Sequence, residues 1–413
     1  MKFSCNYDVI LSNLLDVANI VDDSMLADAL KNVILKFTKN SDNTVNCSFI
    51  GSNTSVLYRK HLKADEFECE LDDSELSNGA LYLQIRNKEV LNFLNAYKNL
   101  RRTYVDKVLL EYKLGDIKLK CVVIEKELAQ DADGQMGFMD EGVSQSSAKE
   151  FRGQWMFDLI PVKTNMMAMI NMELPSEGFS TVDGQVLSIY TTNLYPLLES
   201  DVTVYGQMIF DENVVLVFNK SFNTIMPNRL GNVLSGLTLS YKAVSFIDKI
   251  ICLNEHIDIC KTDTNIIFKT DVSETYIKYS TKLPNYQTVL ELAKNKDSYI
   301  KIDRVLLKDV IRRFNLVQEP IKFTVDLDTK NLVLRNSKFE QVLDILEDVN
   351  MSEVAQHFDI PSSVVNKAIL NNNDFDNSEV YIYCSPVENT KNIMIIFADD
   401  SKSWKSVLRT RVY

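Results

Sequence analysis

The chain has 413 residues, with 45 Lys and Arg against 57 Asp and Glu, a formal net charge of -12 and 46% hydrophobic residues. That length and composition describe a folded protein with two or three hydrophobic cores, and the low Gly (12) and Pro (8) counts exclude collagen-like and proline-rich chains. The acidic balance argues against coating nucleic acid with the whole outer surface, so the placement of the cations carries the functional information.

Six copies of one supersecondary unit, a short alternating strand running into an amphipathic helix, organise the sequence. First, Lys2-Phe3-Ser4-Cys5 leads into Val9, Ile10, Leu14, Leu15, Val17 and Ala18. Second, Leu81-Tyr82-Leu83-Gln84-Ile85 passes through Asn87, an expected N-cap, into Val90, Leu91, Phe93, Leu94 and Tyr97. Third, Val186-Leu187-Ser188-Ile189-Tyr190 reads as a strand, with Thr192 capping a helix over 194–198 and Pro196 in its first turn. Fourth, residues 237–239 precede Ser240 as cap and a helix carrying Val244, Phe246, Ile247, Ile250 and Ile251. Fifth, Tyr299-Ile300-Lys301-Ile302 reaches Asp303 and then Val305, Leu306, Val310, Ile311 and Phe314. Sixth, Phe358-Asp359-Ile360 is followed by Pro361 at the first helical position, with Val364, Val365, Ala368 and Ile369 as the apolar face.

Between these units lie alternating stretches expected to form antiparallel hairpins and meanders, over 107–125, 214–226, 257–279, 321–334 and 380–397. The fold class is therefore α+β, with two helices on antiparallel sheet in each of three domains: 1–182, 183–296 and 297–413. Residues 127–150 lack any period and read as a long loop inserted in the first domain.

No apolar segment follows the basic start, and the longest apolar runs, such as 214–218, are strand length, so neither a secretory signal nor a membrane span is expected. Seven scattered cysteines (5, 47, 69, 121, 252, 260, 384) fit buried thiols in a reducing compartment, the cytoplasm. Cys252, His256 and Cys260 have the spacing to share one helix face and bind zinc. The alternation over 257–260 favours a strand instead, and with it core thiols beside a turn histidine. Asp131, Asp133, Gly134 and Asp140 resemble part of a calcium loop, but Ala129 occupies its first ligand position. None of the common phosphate, nucleotide, nucleophile or zinc signatures occurs.

Cations are the better clue. Arg304, Lys308 and Arg312 are spaced i, i+4, i+8 and should stack along one helix face, where they could follow a phosphate backbone. Lys88, Lys98, Arg101 and Arg102 mark the second helix, Lys242 and Lys249 the fourth, and Lys367 the sixth. A basic helix face is usually just solvated; recurrence on equivalent elements of an acidic repeat protein is what singles these out.

In order, several segments resemble the bacterial β-type DNA sliding clamp, the β subunit of DNA polymerase III. Met1-Lys2-Phe3 with its helix and Ala29-Leu30-Lys31-Asn32-Val33-Ile34-Leu35 resemble the family's opening. Leu283-Pro284-Asn285-Tyr286-Gln287-Thr288-Val289-Leu290 is similar to its Phe-Pro-Asp-Tyr-x-x-Val-Leu segment, and 407–412 to its Val-Val-Met-Pro-Met-Arg-Leu tail. The resemblance implies a head-to-tail homodimer ring around double-stranded DNA, a non-catalytic processivity factor without cofactor or metal. Its partners would be a DNA polymerase, a clamp loader and clamp-binding peptides, with no membrane. It places a dimer interface at Trp155, Phe157 and Leu159 against Leu316 and Val317. It also implies a client-peptide cleft at Val204, Tyr205, Asn219, Lys220, Ser221, Phe222, Leu408, Arg409, Thr410 and Arg411. Asn219 and Lys220 replace the family's usual pair, Arg409 and Thr410 replace Pro-Met, and Asp22-Asp23-Ser24 is acidic where the family often offers Arg toward DNA. The abundance of Asn, Lys and Ile suggests a bacteriophage-encoded member. Two other classes compete: a β-rich assembly protein of a virus particle, and an unrecognised hydrolase, for which the sequence nominates no carboxylate pair.

Overall fold

The computed structural model describes residues 1–21, 31–77, 79–98, 100, 103–127, 149–200, 204–218, 222–292, 298–351, 356–370, 379–386, 392–399 and 405–411. The architecture is α+β, with every named strand pair antiparallel. Two compact units emerge. One comprises residues 1–179 with 265–277, the other 180–264 with 278–413.

In the first unit, helices α1 (Tyr7–Ala18) and α2 (Asn87–Tyr97) pack side by side, and a short α3 (Thr164–Ile170) follows. Lys2–Asn6 alternates between exposed and buried residues, and α1 then buries Tyr7, Ile10, Asn13, Leu14, Val17 and Ala18, one stripe at helical period. Within this unit the sheet runs in the order Phe67–Glu70, Lys2–Asn6, Thr103–Glu111, Lys118–Glu127, Glu150–Ile160, Ala80–Arg86, Asn32–Lys39, Val45–Ser52, Val56–His61, Ser273–Lys278 and Asn265–Lys269. Of its late members, residues 273–277 lie opposite residues 56–60. A buried ion pair pins that join: Arg59 contacts Glu274 at 2.5 Å and donates to the Ile170 carbonyl at 2.7 Å, and His61 Nε2 lies 3.3 Å from the same carboxylate. Burial makes this cluster dependent on its full set of partners.

The second unit holds α4 (Gly184–Leu194) and α5 (Tyr241–Lys249), which pack together, the short α6 (Gln287–Leu292), and the pair α7 (Arg304–Asn315) and α8 (Ser362–Leu370). Twelve strands form one sheet: Leu237–Ser240, Gln207–Phe210, Val214–Phe218, Phe222–Pro227, Lys405–Arg411, Asn392–Asp399, Glu379–Pro386, Tyr299–Asp303, Glu340–Val349, Asn331–Arg335, Pro320–Asp326 and His357–Pro361. The ladder between Phe222–Pro227 and Lys405–Arg411 sets Phe222 opposite Leu408.

Capping explains where helices begin. The Asp303 carboxylate accepts from the Leu306 N–H at 2.8 Å, and Ser240 Oγ from the Ala243 N–H at 3.4 Å. The third unit differs from expectation. Its strand is Ser180–Asp183 and its helix already starts at Gly184, because Asp183 caps the Gln185 N–H and Leu187, Tyr190, Thr191 and Leu194 form a helical stripe rather than a strand face. Gly184 is required there: a Cβ would sit 1.9 Å from the Asn254 carbonyl oxygen. Asn87 is the first helical residue rather than the cap, and Pro361 ends its strand, with α8 starting at Ser362. The expected loop over 127–150 falls mostly on residues outside those described.

Candidate functional surfaces

The three helix pairs present different chemistry. On α7 the expected cationic row is tilted. Successive i+4 steps advance by about 40° around a helix, so three residues spread over about 80°. Arg304 is only 6% exposed, Lys308 is half-buried and Arg312 is open to solvent, 3.3 Å from Asp309. The structure thus corrects the uniform stack: its first member belongs to the buried side. The charges still feel one another, since burial first, then repulsion from Arg304 and Arg312, pulls the Lys308 ammonium down to about 8. Arg313, Val305, Leu306 and Leu316 complete the outer face of α7. Lys88, Lys98, Lys242, Lys249 and Lys367 are all exposed, and Arg101 and Arg102 lie outside the described residues. Asp22, Asp23 and Ser24 also lie outside them.

On the sheet of the second unit, an apolar cluster joins Ile209, Leu216, Phe218 and Ile225 to Tyr383, Met394, Ile396 and Ala398. Tyr286 is buried in it, and Tyr205, Leu283, Val289, Leu290, Tyr299 and Tyr381 pack around it half-buried. Tyr286 donates a short hydrogen bond to Asp211, and burial together with that carboxylate pushes its hydroxyl up to about 12. Tyr205, expected here, packs on this cluster, and Phe222, also expected here, is paired with Leu408 on the strand that carries Arg409, Thr410 and Arg411. The side chains of those four residues and of Val204, and all of Asn219, Lys220 and Ser221, lie outside the described residues. Sequence reasoning missed Tyr286, Val289 and Leu290 as part of this surface, although their Leu-Pro-Asn-Tyr context was the available signal.

Of the residues expected at a subunit interface, Phe157 is 3% exposed and packs edge-on to Phe93 at 5.4 Å, so it belongs to the core of the first unit. Trp155 leans on the same ring at 5.9 Å. Leu159 is half-buried, and its N–H donates to the Ile117 carbonyl at 2.9 Å. Leu114, Met156 and Ile117, the last 77% exposed, line one open groove there. In the second unit Leu316 is 81% exposed, Val317 is half-buried, and exposed Val342 and Leu346 alternate with Glu340 and Asp344 along one strand.

Cys252 sits in the turn Ile251–Leu253 and His256 opens the strand His256–Lys261, so no helix carries the Cys252, His256, Cys260 spacing. Among the described residues no three metal-ligating groups converge, and no helix is long and apolar enough to cross a membrane. None of the seven cysteines is joined in a disulfide, and five of them are buried.

No protein-family model and no curated protein sequence matches the chain. Its fold is nevertheless that of the DNA sliding clamps, shared over the full length. The β subunit of DNA polymerase III from Borrelia burgdorferi, solved with a natural product, aligns with all of this chain and 98% of its own at TM-score 0.72 and 11% identity. The Pseudomonas aeruginosa subunit covers 100% of both chains at 0.69 and 12%, and the Helicobacter pylori β clamp, bound to a DNA ligase peptide, 100% of both at 0.69 and 13%.

Proposed function

We propose that the chain is a non-catalytic DNA sliding clamp, in which two copies close head to tail into a ring that encircles duplex DNA and tethers a replicative polymerase. One observation carries it: a clamp fold spanning the entire chain, whose helix pairs display Lys88, Lys98, Lys242, Lys249, Arg312, Arg313 and Lys367 to solvent in a protein of net charge -12. Fold alone does not assign function. Exposed cations on repeated helices supply the chemistry, because long-range attraction to phosphate holds DNA without tight contacts that would arrest sliding.

In this reading each of three domains, 1–182, 183–296 and 297–413, contributes one helix pair to the DNA-facing wall. The exposed apolar residues Ile117 and Met156 of one copy, beside Leu159, meet Leu316 and Val317 of the other, while Phe157 supports the strand from beneath. The cluster around Tyr205 and Tyr286, with the strand that pairs Phe222 with Leu408, receives client peptides, as the clamp from H. pylori is bound to a ligase peptide. Work inside the cytoplasm, with a loader opening the ring, follows from the same role. The test is topological. Chain loaded on nicked circular DNA should stay bound through gel filtration and be released by a single restriction cut. Equal retention on circle and linear duplex overturns the proposal.

A further inference from the structure

The α4/α5 face has a different chemistry from α7. Along α4 the outward positions are Gln185, Ser188 and Thr192, followed at the helix end by Tyr195, all neutral hydrogen-bonding groups. On α5, Tyr241, Ser245, Lys249 and Lys242 share an arc of about 100°, while Ala243, Val244, Phe246 and Ile247 are buried on the other side. Asp248 flanks this arc on the side of Cys252.

The hydroxyls are organised. Tyr195 Oη lies 2.9 Å from both Tyr241 Oη and Ser245 Oγ, and the two phenol rings stand 5.0 Å apart at 37°. Three hydroxyls carry three protons, and two mutual hydrogen bonds use two of them. One O–H therefore remains to donate outward, from half-exposed groups that share one side of α5 with two exposed lysines. Ser188 and Thr192, 3.4 Å apart, repeat the arithmetic with two protons and one shared bond. A surface of surplus neutral donors beside ammonium groups matches a ligand that offers acceptors only and carries negative charge.

Building on the clamp proposal above, we infer that the Tyr195–Tyr241–Ser245 hydroxyl cluster is a phosphate-contact site for duplex DNA. It binds through neutral hydrogen bonds, next to the electrostatic contribution of Lys242 and Lys249. The two contributions separate by salt. Lysines release counterions and set the slope of log affinity against log salt, about 0.9 per phosphate neutralised, whereas neutral donors release none.

The experiment measures anisotropy of a fluorescein-labelled 30-base-pair duplex across a salt series, using the full chain. The triple variant Tyr195→Phe, Tyr241→Phe, Ser245→Ala should bind about fivefold more weakly at every salt concentration, with an unchanged slope. Thr192→Val, which removes a hydroxyl with no partner on α5, should lose about twofold in the same parallel fashion. Lys242→Gln with Lys249→Gln should instead flatten the slope by about 1.8. If both hydroxyl variants match the parent while the lysine variant is weakened, the hydroxyl site is refuted and the clamp proposal stands. If the lysine variant is unchanged as well, the DNA reading itself fails.

Discussion

Helices α1 and α7 hold the same place in the repeat and have opposite surfaces. Each is twelve residues long, follows a five-residue strand, and buries a stripe of four or more residues against the sheet. Each also buries its first residue, Tyr7 in α1 and Arg304 in α7. Outward, α1 offers Asp8, Ser12 and Asp16, the last held 3.2 Å from Lys60, whereas α7 offers Arg312 and Arg313. The scaffold is set by the buried stripe, and the outer face is free to change sign.

The largest expected effect tests the shared burial of the first residue. Arg304→Glu would place a carboxylate at a position only 6% exposed and should destabilise the second unit by about 3 kcal/mol, and Tyr7→Ala should cost the first unit about as much through its cavity; differential scanning calorimetry reads both. Near-parental melting of Arg304→Glu would mean that its burial is not maintained in solution. Next, Arg312→Glu with Arg313→Glu should weaken duplex binding at low salt by more than about tenfold, while Asp8→Lys on α1 should strengthen it about threefold, both by anisotropy. Equal and small effects would erase the contrast between the two faces.

A pH series sharpens it further. Lys308 loses its proton near pH 8 in the free protein, and a bound phosphate favours the charged form, so DNA binding should take up protons and weaken as pH rises from 7 to 9. Lys308→Met should flatten that profile. The stability sign is the reverse: with a folded value below the usual 10.5, charged Lys308 opposes folding at lower pH, and this opposition fades between about 8 and 10.5. The smallest effect lies at the caps. Asp303 accepts the Leu306 N–H, whereas Asn6 makes no side-chain cap bond, so Asp303→Ala should cost about 1 kcal/mol and Asn6→Ala close to nothing in denaturant titrations.

Joins such as Ser240 to α5 and Asp303 to α7 are legible in the sequence because a cap residue follows a short alternating run. At α4 the local pattern misleads, since Val186, Leu187, Ile189 and Tyr190 make a short apolar run of strand length rich in strand-forming residues, while Leu187, Tyr190, Thr191 and Leu194 follow the helix period over eleven residues. Only the Asp183 cap and the close approach of Asn254 to Gly184 decide between them. The burial of Arg304 escapes a reading of spacing alone, because i+4 rows rotate with each step. Phe157 looks like an interface residue by position, yet its ring is claimed by Phe93, a contact across some sixty residues of chain that no local pattern encodes. Tyr286 is visible as part of a motif, but its place beside Asp211 depends on the sheet.

The strand over 273–277 returns to the first unit after the chain has left it at residue 179, and it is fastened there by five backbone positions and the Arg59–Glu274 contact. Proteolytic nicking anywhere in 180–264 would therefore leave two polypeptides that remain associated through that seam. The same break point offers a route to a split version of the protein, reassembled from separately expressed fragments.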